Sequence, residues 1–376
     1  MSKRMNGAWR VGLHGLAGLA LAVGLAGCDR SQQGSADYES QLRAEATARA
    51  NDPAWKPTLT QTAVIRVGGP TGRNLVQSFC VGKDGNLLVC WGDRTQPAGS
   101  ADTGMEPAAV KVVNPEGKLL HTWPLEFRPQ AICVETDGQV IVGGDGKLAR
   151  LNAEGKVVTR GSSPTLAQPA MSDEEIKELL KGRDPSEADV AQYRSMLDGR
   201  RADITGLAVL GEDVFVACAA PKGFGYVVER VDREFKNSKR IVDKLSGCCG
   251  QMDISARDGK LWVAHNGRHR VEAFDREGTK LASFGKRDRQ AADGFGGCCE
   301  PKNVRLTANG DVLAAESGPP VAIKRFSSDG KFLEVLAAPT YDSGCVRATV
   351  DVSPDGQRFY LLNAGDDAIH VFAAAK

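Results

Sequence analysis

Asp258-Gly259-Lys260-Leu261-Trp262-Val263-Ala264-His265 and Asn309-Gly310-Asp311-Val312-Leu313-Ala314-Ala315-Glu316 are one phrase written twice. Each opens on a turn dipeptide and runs into an apolar strand. An apolar strand also precedes each turn, so the unit is a hairpin. Asp84-Gly85, Asp137-Gly138 and Asp355-Gly356 open the same phrase elsewhere, with Gly211-Glu212-Asp213 as a variant. Asp-Gly and Asn-Gly favour type I′ turns, because glycine tolerates positive φ and Asp or Asn nearly does. A second turn follows in most units, at Glu116-Gly117, Glu154-Gly155, Glu277-Gly278 and Asp329-Gly330. Two hairpins per unit make four antiparallel strands, which is one propeller blade.

Six such units begin near Leu75, Pro129, Ile204, Gln251, Lys302 and Val346. The last shows only three strands. The orphan segment Thr62-Ala63-Val64-Ile65-Arg66-Val67 precedes the first unit and supplies the missing outer strand, which removes two sheet edges. The predicted fold is therefore all-β: a six-bladed β-propeller over residues 61–376, with N-terminal strand closure and a small helical insertion at 165–201. In that insertion Ser172-Asp173-Glu174-Glu175 reads as a capping box ahead of Ile176, Leu179 and Leu180. Asp184-Pro185-Ser186-Glu187 starts a second helix with Val190, Tyr193 and Leu197 on one face. A decoration packed on the propeller rim and a functional lid both fit this hairpin.

The chain carries 48 basic and 47 acidic residues among 376. That balance argues against the broad basic field that nucleic-acid binding needs. Residues 1–27 read as a signal peptide: Lys3, Arg4 and Arg10 lead an apolar run too short and too rich in Gly and Ala to span a bilayer. The run ends in Leu25-Ala26-Gly27-Cys28, which resembles a bacterial lipobox, with Cys28 as the lipidated residue. The resemblance implies a lipid-anchored, extracytoplasmic protein whose first partner is the membrane. If the enterobacterial sorting rule applies, Asp29 implies retention at the inner membrane. Residues 28–60 then read as the lipidated cysteine and a polar, flexible tether, and a short helix around Tyr38 to Ala50 is compatible with this composition.

Cys299-Glu300-Pro301-Lys302-Asn303-Val304 and Val271-Glu272-Ala273-Phe274-Asp275, with the two opening phrases, resemble NHL repeats from about Gln61 to Ala373. That resemblance implies a propeller that binds a protein or small-molecule ligand on one face, where loops from every blade gather. A more distant resemblance, to the gluconolactonase and senescence-marker-protein propellers, implies a divalent-cation-dependent lactonase. Asp253, Asn303 and Glu316 are then the candidate ligands of Ca²⁺ or Mg²⁺. The inner-strand Glu of that branch has no counterpart, since Ser78, Ala131 and Gly206 hold the corresponding places.

Export would place the nine cysteines beyond Cys28 in an oxidising compartment, and nine is odd. Cys248-Cys249 and Cys298-Cys299 occupy matching places, four residues from the second cysteine to Asp253 and Asn303, and Cys345 repeats the position. Blade geometry sets all five at the channel mouth, with His265 and Glu316 on loops of the same face. Three chemistries stand open for them. Disulfides between blades require Cα atoms within about 7 Å. Vicinal disulfides would offer a flat ligand platform, as in propeller-type quinoprotein dehydrogenases. Thiolates with His265 would hold a soft metal, a redox or copper-handling role. Cys80, Cys90, Cys133 and Cys218 fall on inner or second strands and read as packing residues.

Overall fold

Six four-stranded antiparallel sheets hold all the described strands, as the spacing of turn dipeptides requires. The computed structural model describes residues 36–67, 75–93, 107–247, 250–318, 320–339, 346–365 and 367–375. The inner strands of blades one to six are Val76–Val81, Ala131–Val134, Ile204–Leu210, Ile254–Arg257, Asn303–Leu306 and Ala348–Val352. Each packs against the inner strands of both neighbours, which closes a ring around a channel. The six-bladed count holds.

Strand Thr60–Arg66 pairs antiparallel with Ala368–Ala373, from Thr60 with Ala373 to Arg66 with Ala368, with one register shift between Gln61 and Ala63. Blade six is thus completed from the other end of the sequence, as the orphan segment predicted. Apolar side chains on facing sheets fill the gaps between blades. Phe79 meets Tyr360 edge-on at 6.5 Å between blades one and six, and Trp262, Phe284 and Phe326 interlock between blades four and five.

The first turn of most blades differs from the expected type I′. At Asp84-Gly85 only the glycine has positive φ, and Gly85 N–H donates to Gly82 O at 3.0 Å. The turn is type I with a left-handed glycine after it, a geometry that also suits a twisted hairpin. Aspartate is selected there because its carboxylate accepts the N–H two residues on, Asp84 Oδ1 from Asn86 at 3.1 Å. Asp258-Gly259 alone of these turns carries positive φ at both residues.

Both helices of the insertion form, over Asp173–Leu180 and Glu187–Arg201; a longer helix, Ala36–Asn51, precedes the propeller. The capping box at Ser172 and Glu175 is present, and a second joins Ser186 to Asp189. Ile176, Leu180, Val190, Tyr193 and Leu197 bury one another, whereas Leu179, expected in that stripe, faces solvent. Tyr193 rests edge-on against Phe224 at 5.1 Å, so the hairpin stands on blade three.

The segment from Arg49 to Leu59, expected to be tether, is anchored to the fold. Trp55 is buried among Ala292, Ala322 and Val335, and its Nε1–H donates to Gln290 O at 2.5 Å. Arg49 Nη1 donates to Arg289 O at 3.1 Å, and Leu59 N–H donates to Leu336 O at 2.9 Å along the outer strand of blade five. Among the described residues no helix is long and apolar enough to cross a membrane. The signal peptide and Cys28 lie outside the described residues, as do Cys248, Cys249 and Cys345.

Candidate functional site

The face on which the chain enters each inner strand is here the upper face. It also carries the turns between second and third strands. Asp253 and Asn303 sit where inner strands begin, as predicted, and they touch. Asn303 Nδ2 donates to Asp253 Oδ2 at 2.5 Å, Val304 N–H to the same oxygen at 3.2 Å, and Arg305 Nη1 at 2.6 Å. Asn303 Oδ1 in turn accepts Val350 N–H of blade six at 3.0 Å. Gln130 Oε1 accepts Ile204 N–H at 3.1 Å and Asp351 Oδ2 accepts Val81 N–H at 2.8 Å in the same manner. Polar side chains at the inner strands are therefore mortar between blades, satisfying buried backbone groups that no sheet partner reaches.

Below this ring the channel opens into a cavity of about 180 Å³, lined by Cys80, Ile132, Cys133, Leu207, Arg305 and Asp351 among others. Burial raises the Asp253 carboxyl to about 6 despite the Arg305 guanidinium beside it. Burial likewise pushes the Cys133 thiol up to about 12 and Cys80 well above the ordinary range. The packing reading of Cys90 and Cys218 holds, since both are fully buried. Cys80 and Cys133 pack on the apolar clusters of their blades and also face this cavity.

Cys298 and Cys299 lie on the upper face, Cys299 buried and Cys298 half-buried. Their sulfurs are 3.7 Å apart, so this pair is not a vicinal disulfide and offers no flat sulfur platform. Glu316 is not at the channel mouth with Asp253. It is fully buried, with Oε2 2.5 Å from Lys324 Nζ and Oε1 accepting Gly296 N–H at 2.6 Å. Lys324 Nζ also lies 4.5 Å from the centre of the Trp55 ring. Glu300 beside it accepts the Ser317 N–H and hydroxyl, both at 3.1 Å. Burial, reinforced by Glu316 and only partly offset by Lys302, pushes the Glu300 carboxyl up to about 7.

These contacts decide the fit of a divalent cation. Asp253 is neutralised by Arg305 and Glu316 by Lys324, and the donors around them take the lone pairs a cation would need. Asp253, Asn303 and Glu316 therefore do not fit a Ca²⁺ or Mg²⁺ site.

His265 ends the second strand of blade four and is held from both sides. Its Nδ1 lies 2.8 Å from Glu272 Oε2, and its Nε2 accepts the Ser246 N–H at 3.0 Å with the Ser246 hydroxyl at 3.1 Å. Glu272 Oε1 pairs with Lys280 Nζ at 2.6 Å. Burial acts to raise the Glu272 carboxyl, but hydrogen bonds from His265 and Lys280 outweigh it and hold the group at about 2. Ser246 itself is exposed. Among the described residues no sulfur ligand is placed beside the ring by these contacts. Sequence reading singled out neither Ser246 nor Glu272. Pairing Val263 with Glu272 in the hairpin register sets Glu272 two residues diagonally from His265 on one sheet face, a signal the turn spacing contains. Ser246 belongs to another blade and leaves no such trace.

No protein-family model matches the chain, and no curated protein matches it. Among solved structures it is similar to a gluconolactonase from Xanthomonas campestris, at 13% identity and a TM-score of 0.50, covering 86% of this chain and 97% of that one. A protein of unknown function from Bacteroides thetaiotaomicron matches at 11% identity and a TM-score of 0.54, over 85% and 77% of the two chains. Virginiamycin B lyase from Staphylococcus aureus matches at 12% identity and a TM-score of 0.49, over 83% and 99%. At such identities the likeness is one of fold: this chain is a six-bladed propeller distantly similar to them.

Proposed function

We propose that the chain is a lipid-anchored, extracytoplasmic binding propeller whose protein or small-molecule ligand docks on the upper face. The observation that carries this reading is the asymmetry of the two faces. Upper-face connections grow long between Ser162 and Ile204 and between Phe284 and Asn303, whereas the described turns of the opposite face are tight. Long connections on one end of a rigid scaffold are where propellers carry recognition. The membrane half of the proposal rests on the lipobox-like Leu25-Ala26-Gly27-Cys28, and Asp29 assigns the inner membrane where the enterobacterial sorting rule applies. Disulfides among Cys248, Cys249, Cys298, Cys299 and Cys345 would staple the blades around that face.

Photo-crosslinking residues placed at exposed Lys222 and Gln290 on the upper face, and at exposed Asn309 and Asp355 opposite, test the binding surface in native membranes. Adducts from the first pair alone are expected. Equal adducts from both faces, or adducts from the opposite face only, contradict it. Metabolic labelling with a palmitate analogue checks the anchor: label should be lost in Cys28→Ser, and its persistence rules out acylation at Cys28.

A further inference from the structure

Ser246, His265 and Glu272 stand in the order of nucleophile, base and orienting carboxylate. We propose that they form an acyl-transfer site on the rim between blades three and four, which hydrolyses small carboxylic esters through an acyl-Ser246 intermediate. This activity goes beyond ligand docking and needs neither the anchor nor a metal.

The tautomer follows from the contacts. Ser246 N–H donates to His265 Nε2, so that nitrogen carries no proton and Nδ1 carries the one shared with Glu272. The Ser246 hydroxyl, 3.1 Å away, points its oxygen at the same basic nitrogen. A nucleophile within hydrogen-bond reach of a base that a third group orients is the shared geometry of serine hydrolases. Two glycines make the approach possible. A Cβ at Gly267 would lie 2.7 Å from Ser246 Oγ, and one at Gly247 would lie 2.4 Å from Asn266 Oδ1. Solvent reaches Ser246, while His265 and Glu272 are 7% and 3% exposed, so the nucleophile is accessible and its relay is dry.

A purely structural latch is the competing account, since the Ser246 N–H alone would hold the loop. It needs only one accepting nitrogen on the ring. Burying an ionised Glu272 behind that ring incurs a desolvation cost that a latch does not require. The carboxylate is useful where the ring must become charged.

In the reaction, Ser246 Oγ bonds to the ester carbonyl carbon while its proton passes to His265 Nε2 and the carbonyl electron pair moves onto oxygen. Once protonated, Nε2 no longer accepts a hydrogen bond. The Ser246 N–H is thereby released as a donor toward the oxyanion on its own residue. Collapse expels the alcohol, which leaves with the Nε2 proton. Water then attacks the acyl-enzyme, giving its proton to Nε2; the carboxylic acid departs and the proton returns to Oγ.

Glu272 is a positioning residue in this scheme. The test uses the full chain in detergent with EDTA present, a fluorophosphonate probe and p-nitrophenyl acetate. One probe per chain on Ser246 is expected, with ester turnover insensitive to EDTA. Ser246→Ala and His265→Ala should each lower turnover by roughly 10²-fold or more and abolish labelling. Glu272→Gln should lower kcat while leaving KM in place. Ser246→Cys, which keeps the backbone N–H and side-chain size, should lose fluorophosphonate labelling and gain rapid alkylation by iodoacetamide. Absence of labelling in the folded protein, labelling at another residue, or unchanged turnover in a Ser246→Ala protein of unchanged thermal stability would each overturn the proposal.

Discussion

Gln251 reaches from blade four across the channel mouth to blade six and pairs with both backbone groups of Ala348. Its Nε2 donates to Ala348 O at 2.7 Å, and its Oε1 accepts Ala348 N–H at 3.2 Å. Arg347 Nη2 returns the link by donating to Gly250 O at 3.2 Å. The side chain is a chord across the ring, and blades four and six are joined without passing through blade five.

Truncating that chord leaves two buried backbone groups unpaired, each costing about 1–3 kcal/mol. Gln251→Ala should therefore lower the urea unfolding free energy by about 2–6 kcal/mol with the slope unchanged. A loss below about 0.5 kcal/mol would show that water replaces the amide there.

Trp55 links the N-terminal segment to the Lys324–Glu316 pair inside blade five. Replacing a buried tryptophan by alanine costs about 3–5 kcal/mol. Trp55→Ala should approach the lower end, because this site lies at the periphery and can relax. Limited proteolysis should then cut between residues 36 and 59 while the propeller survives as a resistant core. Simultaneous digestion of the whole chain would show that the docked segment is integral to the ring.

Glu300 predicts a pH dependence. Its carboxyl titrates at about 7 in the fold, against about 4.3 in an unfolded chain. A raised acid favours the fold most while protonated, so its contribution is full below about 4.3 and lost as pH rises through 7. Asp253, at about 6, acts in the same direction at slightly lower pH. Glu272, held at about 2, does the reverse, and its contribution is lost as pH falls toward that value. Glu300→Gln should flatten the decline between pH 5 and 8 by about 2–3 kcal/mol, read from urea midpoints at each pH. An unchanged decline would place the responsible group elsewhere.

Thiol chemistry checks the channel. With Cys133 at about 12 and Cys218 at about 11, the thiolate fraction at pH 8 is on the order of 10⁻³ to 10⁻⁴. Iodoacetamide should leave Cys80, Cys90, Cys133 and Cys218 unmodified in the folded protein over minutes, and modify all four in denaturant. Cys133, half-buried against the cavity, should be the first to react on prolonged exposure. Rapid folded-state labelling of Cys90 would contradict its burial.

Local pattern made the architecture legible. Asp-Gly and Asn-Gly turns recur at blade spacing, and the Thr62–Val67 segment had no neighbour except the open edge of the last blade. Ser172 and Ser186 announced their helices because capping is a contact between near residues. The site was less legible because its contacts join distant blades. Asp253 and Glu316 share a residue class suited to cations, yet Arg305 and Lys324 had already neutralised them, and nothing in either local phrase reveals those partners. Trp55 shows the same limit: a single tryptophan in a polar stretch gives no period, and only the pocket among Ala292, Ala322 and Val335 explains it.

The pairing of Thr60–Arg66 with Ala368–Ala373 has a consequence for how the molecule comes into being. The strand made first waits for a partner about three hundred residues later in synthesis, so the ring stays an open crescent until the final hairpin emerges. Such distant pairing pays its loop entropy before any contact rewards it. Cooperative closure is thus a late, single event, and removing strand Ala368–Ala373 should leave a gapped, association-prone crescent instead of a slightly shortened wheel.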